Sequence, residues 1–178
     1  MTEHDTHTRG PRREPEVLTF AEARTAVVRG RDIPSGELAA FFDASFGALA
    51  GFLKSRALSP VGPAFALYPR LPAETTDLEV GFAIDHPLVG DHTTDSGIVV
   101  SASRLPGGPA ATVSHVGPYD ALGDAWRGLL DWASRNGHAP GLPFWEVYVT
   151  EPSPTADPAT LRTDLFLPVE AERVPPAP

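Results

Sequence analysis

At 178 residues with 42% hydrophobic content, the chain is long enough to bury the core of one domain of ordinary size. It contains no cysteine, which excludes disulfides, thiolate catalysis and zinc–thiolate sites. Its net charge of −9 and its one lysine, Lys54, are the opposite of the clustered Lys and Arg of a nucleic-acid surface, so no direct nucleic-acid binding is expected. Acidity gives a weak preference for neutral or cationic ligands instead. No apolar run is read as approaching the ~20 residues of a membrane span, and the N-terminus lacks a signal-peptide core. A cytoplasmic protein with no membrane partner is therefore expected.

Residues 1–15 are polar, carry charges of both signs, and read as a disordered leader. Val17 to Val28 is extended and apolar, one strand bent near Glu22-Ala23. Pro34-Ser35-Gly36-Glu37 opens a helix, proline suiting its first turn and Glu37 complementing its positive end. The helix stripe is Leu38, Phe42, Phe46, Leu49 and Leu53. Strands are expected at 64–68 and 78–84; in the second, Leu78, Val80, Phe82 and Ile84 alternate with Glu79, Gly81 and Ala83. After a polar connector, a strand over 98–105 turns at Pro106-Gly107-Gly108-Pro109, read as a hairpin, into a strand over 111–116. Gly117-Pro118-Tyr119-Asp120 opens a second helix, with Leu122, Trp126, Leu129, Leu130 and Ala133 as its stripe and Asn136-Gly137 as its stop. Strands over 143–150 and 161–169 follow, and 170–178 reads as a flexible tail.

The two halves match at a constant offset of 80 residues: Phe46 falls on Trp126, Leu49 on Leu129, Pro60 on Pro140, Phe65 on Trp145 and Tyr68 on Tyr148. After a loop five residues longer in the second half, Val80 falls on Leu165 and Ile84 on Val169. The expected fold is α+β: tandem strand–helix–strand–strand units, about 17–85 and 98–169, within a single domain over 16–169. They would form one curved, mostly antiparallel sheet with both helices on one face and a ligand groove on the other.

The segment Phe144-Trp145-Glu146-Val147-Tyr148 places Trp145 and Val147 on one face and Phe144, Glu146 and Tyr148 on the other. The first face is purely apolar and is assigned to the helices, with Phe65 and Leu67. The second sets a carboxylate between two aromatic rings, which is poor core chemistry and good pocket chemistry. Glu146 aligns with Ala66, so one half supplies charge and the other space. The candidate groove residues are Tyr68, Ala66, Tyr119, Phe144, Glu146, Tyr148 and Phe166. His86, Asp91, His92 and Asp95 lie close in sequence, but on a connector with no helical spacing, so no metal is expected, nor any cofactor. His115 is read as a solvated residue near the groove rim. Neither a phosphate loop nor a nucleophile-elbow pattern is present.

Gly117-Pro118-Tyr119, the helix with Trp126 and Leu129-Leu130-Asp131-Trp132, Asn136-Gly137, Pro143 to Tyr148, and Leu161 to Val169 together resemble the GyrI-like (gyrase-inhibitor-like) effector-binding domain. The likeness covers roughly 17–169 and is stronger in the second half. It implies a duplicated strand–helix–strand–strand fold whose strand glutamate, here Glu146, meets cationic aromatic drugs. A stand-alone member without a helix-turn-helix is expected, because about 15 residues precede the first strand. Three readings follow: a protein that binds flat apolar ligands, cationic ones among them; a hydrolase of cyclopropane-bearing natural products, with Glu146 acting on water and Tyr148 on the substrate oxygen; or a protein-interaction module resembling a gyrase inhibitor.

Overall fold

Among the described residues, β-branched and aromatic runs broken by Pro and Gly form nine strands, joined in one sheet through antiparallel pairings. The computed structural model describes residues 9–151 and 155–170. In chain order the elements are β1 (Glu16–Phe20), β2 (Ala23–Pro34), α1 (Leu38–Ser55), β3 (Ala64–Tyr68), β4 (Thr75–Ala83), β5 (Asp91–Thr93) and β6 (Val99–Leu105). They continue with β7 (Gly108–Val116), α2 (Leu122–Arg135), β8 (Phe144–Tyr148) and β9 (Arg162–Pro168). The sheet order is β1-β7-β9-β8-β3-β4-β2-β6-β5. The fold is α+β, as the sequence leads one to expect.

The duplication is visible down to single bonds. The bridge Pro60↔Ile84 in the first half recurs as Pro140↔Val169 in the second. Asp85 N donates to Ser59 O, and Glu170 N to Ala139 O; Leu58 N donates to Leu53 O, and His138 N to Ala133 O. Each helix opens through a single 3-10 turn, Ser35–Glu37 or Tyr119–Ala121, after Pro34 or Pro118. β3 pairs with β8 about the couple Ala66↔Glu146, so the pseudo-twofold axis passes between these two residues.

Two strand readings are corrected. The extended segment after Val17 is not one bent strand: β1 lies at one edge beside β7, while β2 lies between β4 and β6. Nor do β6 and β7 form a hairpin; β6 pairs with β2 and β5, and β7 with β1 and β9. The leading strand of each repeat is therefore exchanged onto the other repeat. Where the two links cross, a Cβ on Gly107 would lie 2.8 Å from Glu22 N. Glycine there serves a close passage of two backbones, not a tight turn. A short strand, β5, also forms in the segment read as a plain connector.

The exchange curls the sheet and gives it two cores. Leu49, Phe52 and Leu53 of α1 and Leu129 and Ala133 of α2 pack on Ala66, Tyr68, Val80, Phe144 and Leu165. On the opposite face Phe20, Phe65, Leu105, Trp145, Val147 and Phe166 fill the concavity with one another. The expected assignment of faces is thus inverted: Phe65, Leu67, Trp145 and Val147 point away from the helices, whereas Tyr68, Phe144, Glu146 and Tyr148 point toward them. The face expected to carry the groove is closed by its own side chains.

The turn before α1 and α1 itself, Ser35–Ser55, form 21 residues that include an 18-residue stretch of mean hydropathy 1.3, long and apolar enough by length and composition to cross a membrane, contrary to the expectation from sequence. In the fold this helix lends Leu49, Phe52 and Leu53 to the core. Arg9 to Pro15, expected to be loose, include residues held against the sheet: Ser114 N donates to Arg12 O at 2.9 Å and Arg12 N to Ser114 Oγ at 2.9 Å. The remainder of the leader, residues 1–8, and residues 171–178 of the tail lie outside the described residues.

Candidate ligand-binding site

β8 alternates, so Glu146 and Tyr148 project together toward the helices, and β3 places Tyr68 beside them. Glu146 is only 6% exposed. Its carboxylate accepts three bonds: Trp126 Nε1 donates to Oε1 at 2.7 Å, while Tyr148 Oη at 2.8 Å and Tyr68 Oη at 3.3 Å donate to Oε2. All three donors are neutral, and no ion pair among the described residues reaches it.

Burial pushes the Glu146 carboxyl above the ordinary glutamate range, and the bonds from Trp126, Tyr148 and Tyr68 pull the other way. Burial, then the negative charge around them, raises the phenols of Tyr68 and Tyr148 well above the usual range, so both remain donors. Because folding raises the Glu146 pKa, its protonated form favours the fold. That contribution falls as pH rises through the raised value. Trp126→Phe keeps an aromatic wall and deletes the 2.7 Å bond. The carboxyl of that variant should titrate at still higher pH than in the parent, as read by NMR of the Glu146 side chain across an acid titration; an unchanged midpoint would show that the indole does not hold the charge.

Above the carboxylate lies a cavity of ≈ 490 Å³ whose walls include Phe42, Asp43 and Phe46 of α1, with Tyr68, Tyr119 and Tyr148. Its rings meet edge to face: Phe42 with Tyr148 at 6.1 Å and Tyr119 with Tyr148 at 5.9 Å. No lysine or arginine lines it. A second cavity, ≈ 570 Å³, lies on the α2 side against Trp126, Leu130, Phe144, Leu71 and Leu142, and shares Tyr68, Leu122 and Glu146 with the first. Phe144 stacks on Tyr68 at 5.0 Å between them.

The structure thus gathers Tyr68, Tyr119, Glu146 and Tyr148 at one cavity and puts Phe144 in the adjoining one. Two expected groove residues are elsewhere. Ala66 is fully buried on the axis and lines neither cavity. Phe166 is fully buried in the opposite core, stacked on Trp145 at 5.2 Å with the rings nearly parallel. In the sequence Phe42, Phe46 and Trp126 show only the spacing of a packing stripe, and Asp43 shows no signal, yet each walls a cavity. The repeat held the missing signal, since Phe46 and Trp126 are equivalent positions and each walls a cavity. His115 lines neither, its Nε2 3.0 Å from Pro118 O, but it is near enough for its charge to act on Glu146, more weakly than the three hydrogen bonds and in the same direction. Among the described residues, no three His, Asp or Glu side chains gather as a metal would need.

Among solved structures the fold is similar to EcmrR in its complex with DNA, with a TM-score of 0.73 and 21% identity over 88% of this chain and 57% of that one. The chain thus spans little more than half of that protein's length. It is also similar to a hydrolase from Listeria innocua, with a TM-score of 0.65 and 16% identity over 94% and 98% of the two chains. SAV2435 bound to tetraphenylphosphonium matches with a TM-score of 0.61 and 11% identity over 88% and 94%. At these identities the likeness is one of fold. No curated protein matches the sequence. The profile of the GyrI-like small-molecule-binding domain matches residues 13–170, and with the duplicated sheet and the cavities over Glu146 in view, the chain belongs to that family.

Proposed function

We propose that the chain captures hydrophobic aromatic cations in the cavity between its helices, with Glu146 holding the charge and Phe42, Tyr68, Tyr119 and Tyr148 holding the rings. One observation carries this: a 6% exposed carboxylate whose partners are three neutral donors. A buried carboxylate without a counter-charge costs several kcal/mol, and neutral donors offset only part of that. An arriving cation supplies the missing charge, and the aromatic faces add cation–π attraction. Asp43, on the cavity wall, adds a second negative charge. The ligand of SAV2435, a lipophilic aromatic cation, supports the class.

The test is calorimetric titration with tetraphenylphosphonium. Glu146→Gln keeps the shape and should weaken binding by about 1.5–3 kcal/mol, the range for bonds to charged groups, while a neutral aromatic ligand is nearly unaffected. Equal affinity of parent and variant for the cation would sink the reading. The three donors leave one acceptor site on Glu146 Oε1, and hydrolysis through Glu146 and Tyr148 would have to place its water there. It would announce itself as turnover that falls about 10²–10⁴-fold in Glu146→Gln with substrate affinity retained.

A further inference from the structure

The helix walls of the two cavities correspond in part under the repeat, while the walls drawn from Leu71, Pro72 and Pro140 to Leu142 belong to the second cavity alone. At the 80-residue offset, Phe42 and Phe46, walls of the first, correspond to Leu122 and Trp126, walls of the second. Among these matched helix positions the charge differs at one: Asp43 in the first cavity is matched by Gly123 in the second. The first therefore holds two carboxylates, Asp43 and Glu146. The second has an uncharged lining except for the shared Glu146. At the rim of this second cavity Leu71 is 65% exposed and Leu142 54% exposed, large apolar surface left to water.

We propose that one ligand occupies both cavities at once: an aromatic cationic head in the first, and an uncharged hydrophobic arm that passes over Tyr68 and Glu146 into the second, covering Leu71 and Leu142. The ligand class is thus an amphiphilic cation with two lobes, which narrows the cation-capturing reading above and rests on it. Each cavity alone has the volume of an ordinary small-molecule site, and Tyr68, Leu122 and Glu146 are walls of both. Charge decides the direction. A head placed in the second cavity would give up Asp43, and an arm placed in the first would bury apolar surface against two carboxylates.

The experiment compares methyltriphenylphosphonium with hexyltriphenylphosphonium by calorimetry on the whole chain. The hexyl compound should bind about ten-fold tighter or more, because its extra methylenes leave water. Gly123→Trp then fills the second cavity; a Cβ at Gly123 meets no heavy atom within 4 Å, so the indole has room to grow. In that variant the ratio of hexyl to methyl affinity should collapse to about one. Leu142→Asp, at the exposed rim, should lower the ratio in the same direction and serves if Gly123→Trp folds poorly. Equal affinities in the parent, or a ratio unmoved by both substitutions, would overturn the two-cavity ligand while leaving cation capture intact. Failure of both phosphoniums to bind would remove the cation-capturing reading and this inference with it.

Discussion

Asp164→Ala is expected to lower stability by about 3–5 kcal/mol, the cost of leaving one member of a buried ion pair alone. Asp164 is fully buried and grips Arg162 in a two-point fork, Nε to Oδ1 at 2.9 Å and Nη2 to Oδ2 at 2.8 Å. The Arg162 side chain is only 11% exposed, so its charge could not be recovered by water. Ser114 Oγ donates to the same carboxylate at 2.6 Å, and Arg162 Nη1 reaches Arg9 O at 2.6 Å. Thermal unfolding should show a fall in Tm of roughly 10 °C for a domain of this size. Limited proteolysis should cut earlier around Arg9 to Pro15, which the same group of bonds holds. The double change Arg162→Met with Asp164→Leu should restore most of the loss, since apolar replacement of a buried pair is often neutral. A single variant as stable as the parent would show that the fork contributes nothing net.

Phe166→Ala separates the two faces of the sheet. Were Phe166 a wall of the ligand site, its removal would weaken binding and spare the fold. Its place is the far core, stacked on Trp145 and edge-on to Phe20 at 5.2 Å. Truncation there should cost about 3–5 kcal/mol, as large-to-small changes at aromatic core positions do. Chemical denaturation measures that loss. Tetraphenylphosphonium affinity, taken at low temperature where the variant is folded, should match the parent. Weakened binding with unchanged stability would return Phe166 to the site.

This second case shows what was legible in the sequence and why part of it was not. The period of two in Leu78 to Ile84, the helix stripes and the duplication are written in the order of residues, and the fold class follows from them. Which side of the sheet the helices cover is not. β3, β8 and β9 are buried on both faces, and Trp145 is as apolar a core residue against the concave side as Phe144 is against the helices. A strand with two buried faces gives no hydropathy signal for choosing between them. The closure of the concave side comes from β1 and β6 crossing between repeats, a long-range pairing that no local pattern around Glu22 or Gly107 announces. Glu146, Tyr148 and Tyr68 nonetheless stand out in the sequence, because a carboxylate among rings is conspicuous whichever way the strand faces. Trp126 and Phe42 do not, because on a helix an aromatic at core spacing looks the same whether it packs or walls a cavity.

The couple Ala66↔Glu146 also sets a limit on how such a site can be assembled. Two identical halves meeting on a true twofold axis would place the same side chain on both sides of it. With glutamate in both, the carboxylates would share one proton in preference to ionising together, and the single remaining charge would be tied up in a carboxyl–carboxylate hydrogen bond across the axis, no longer free to meet a cation. With alanine in both, there would be no charge at all. A lone carboxylate at the midpoint of a twofold scaffold therefore requires halves that differ, which a homodimer of one repeat cannot provide and a single covalent chain can. The peptide link between the repeats is in that sense part of the electrostatics of the site.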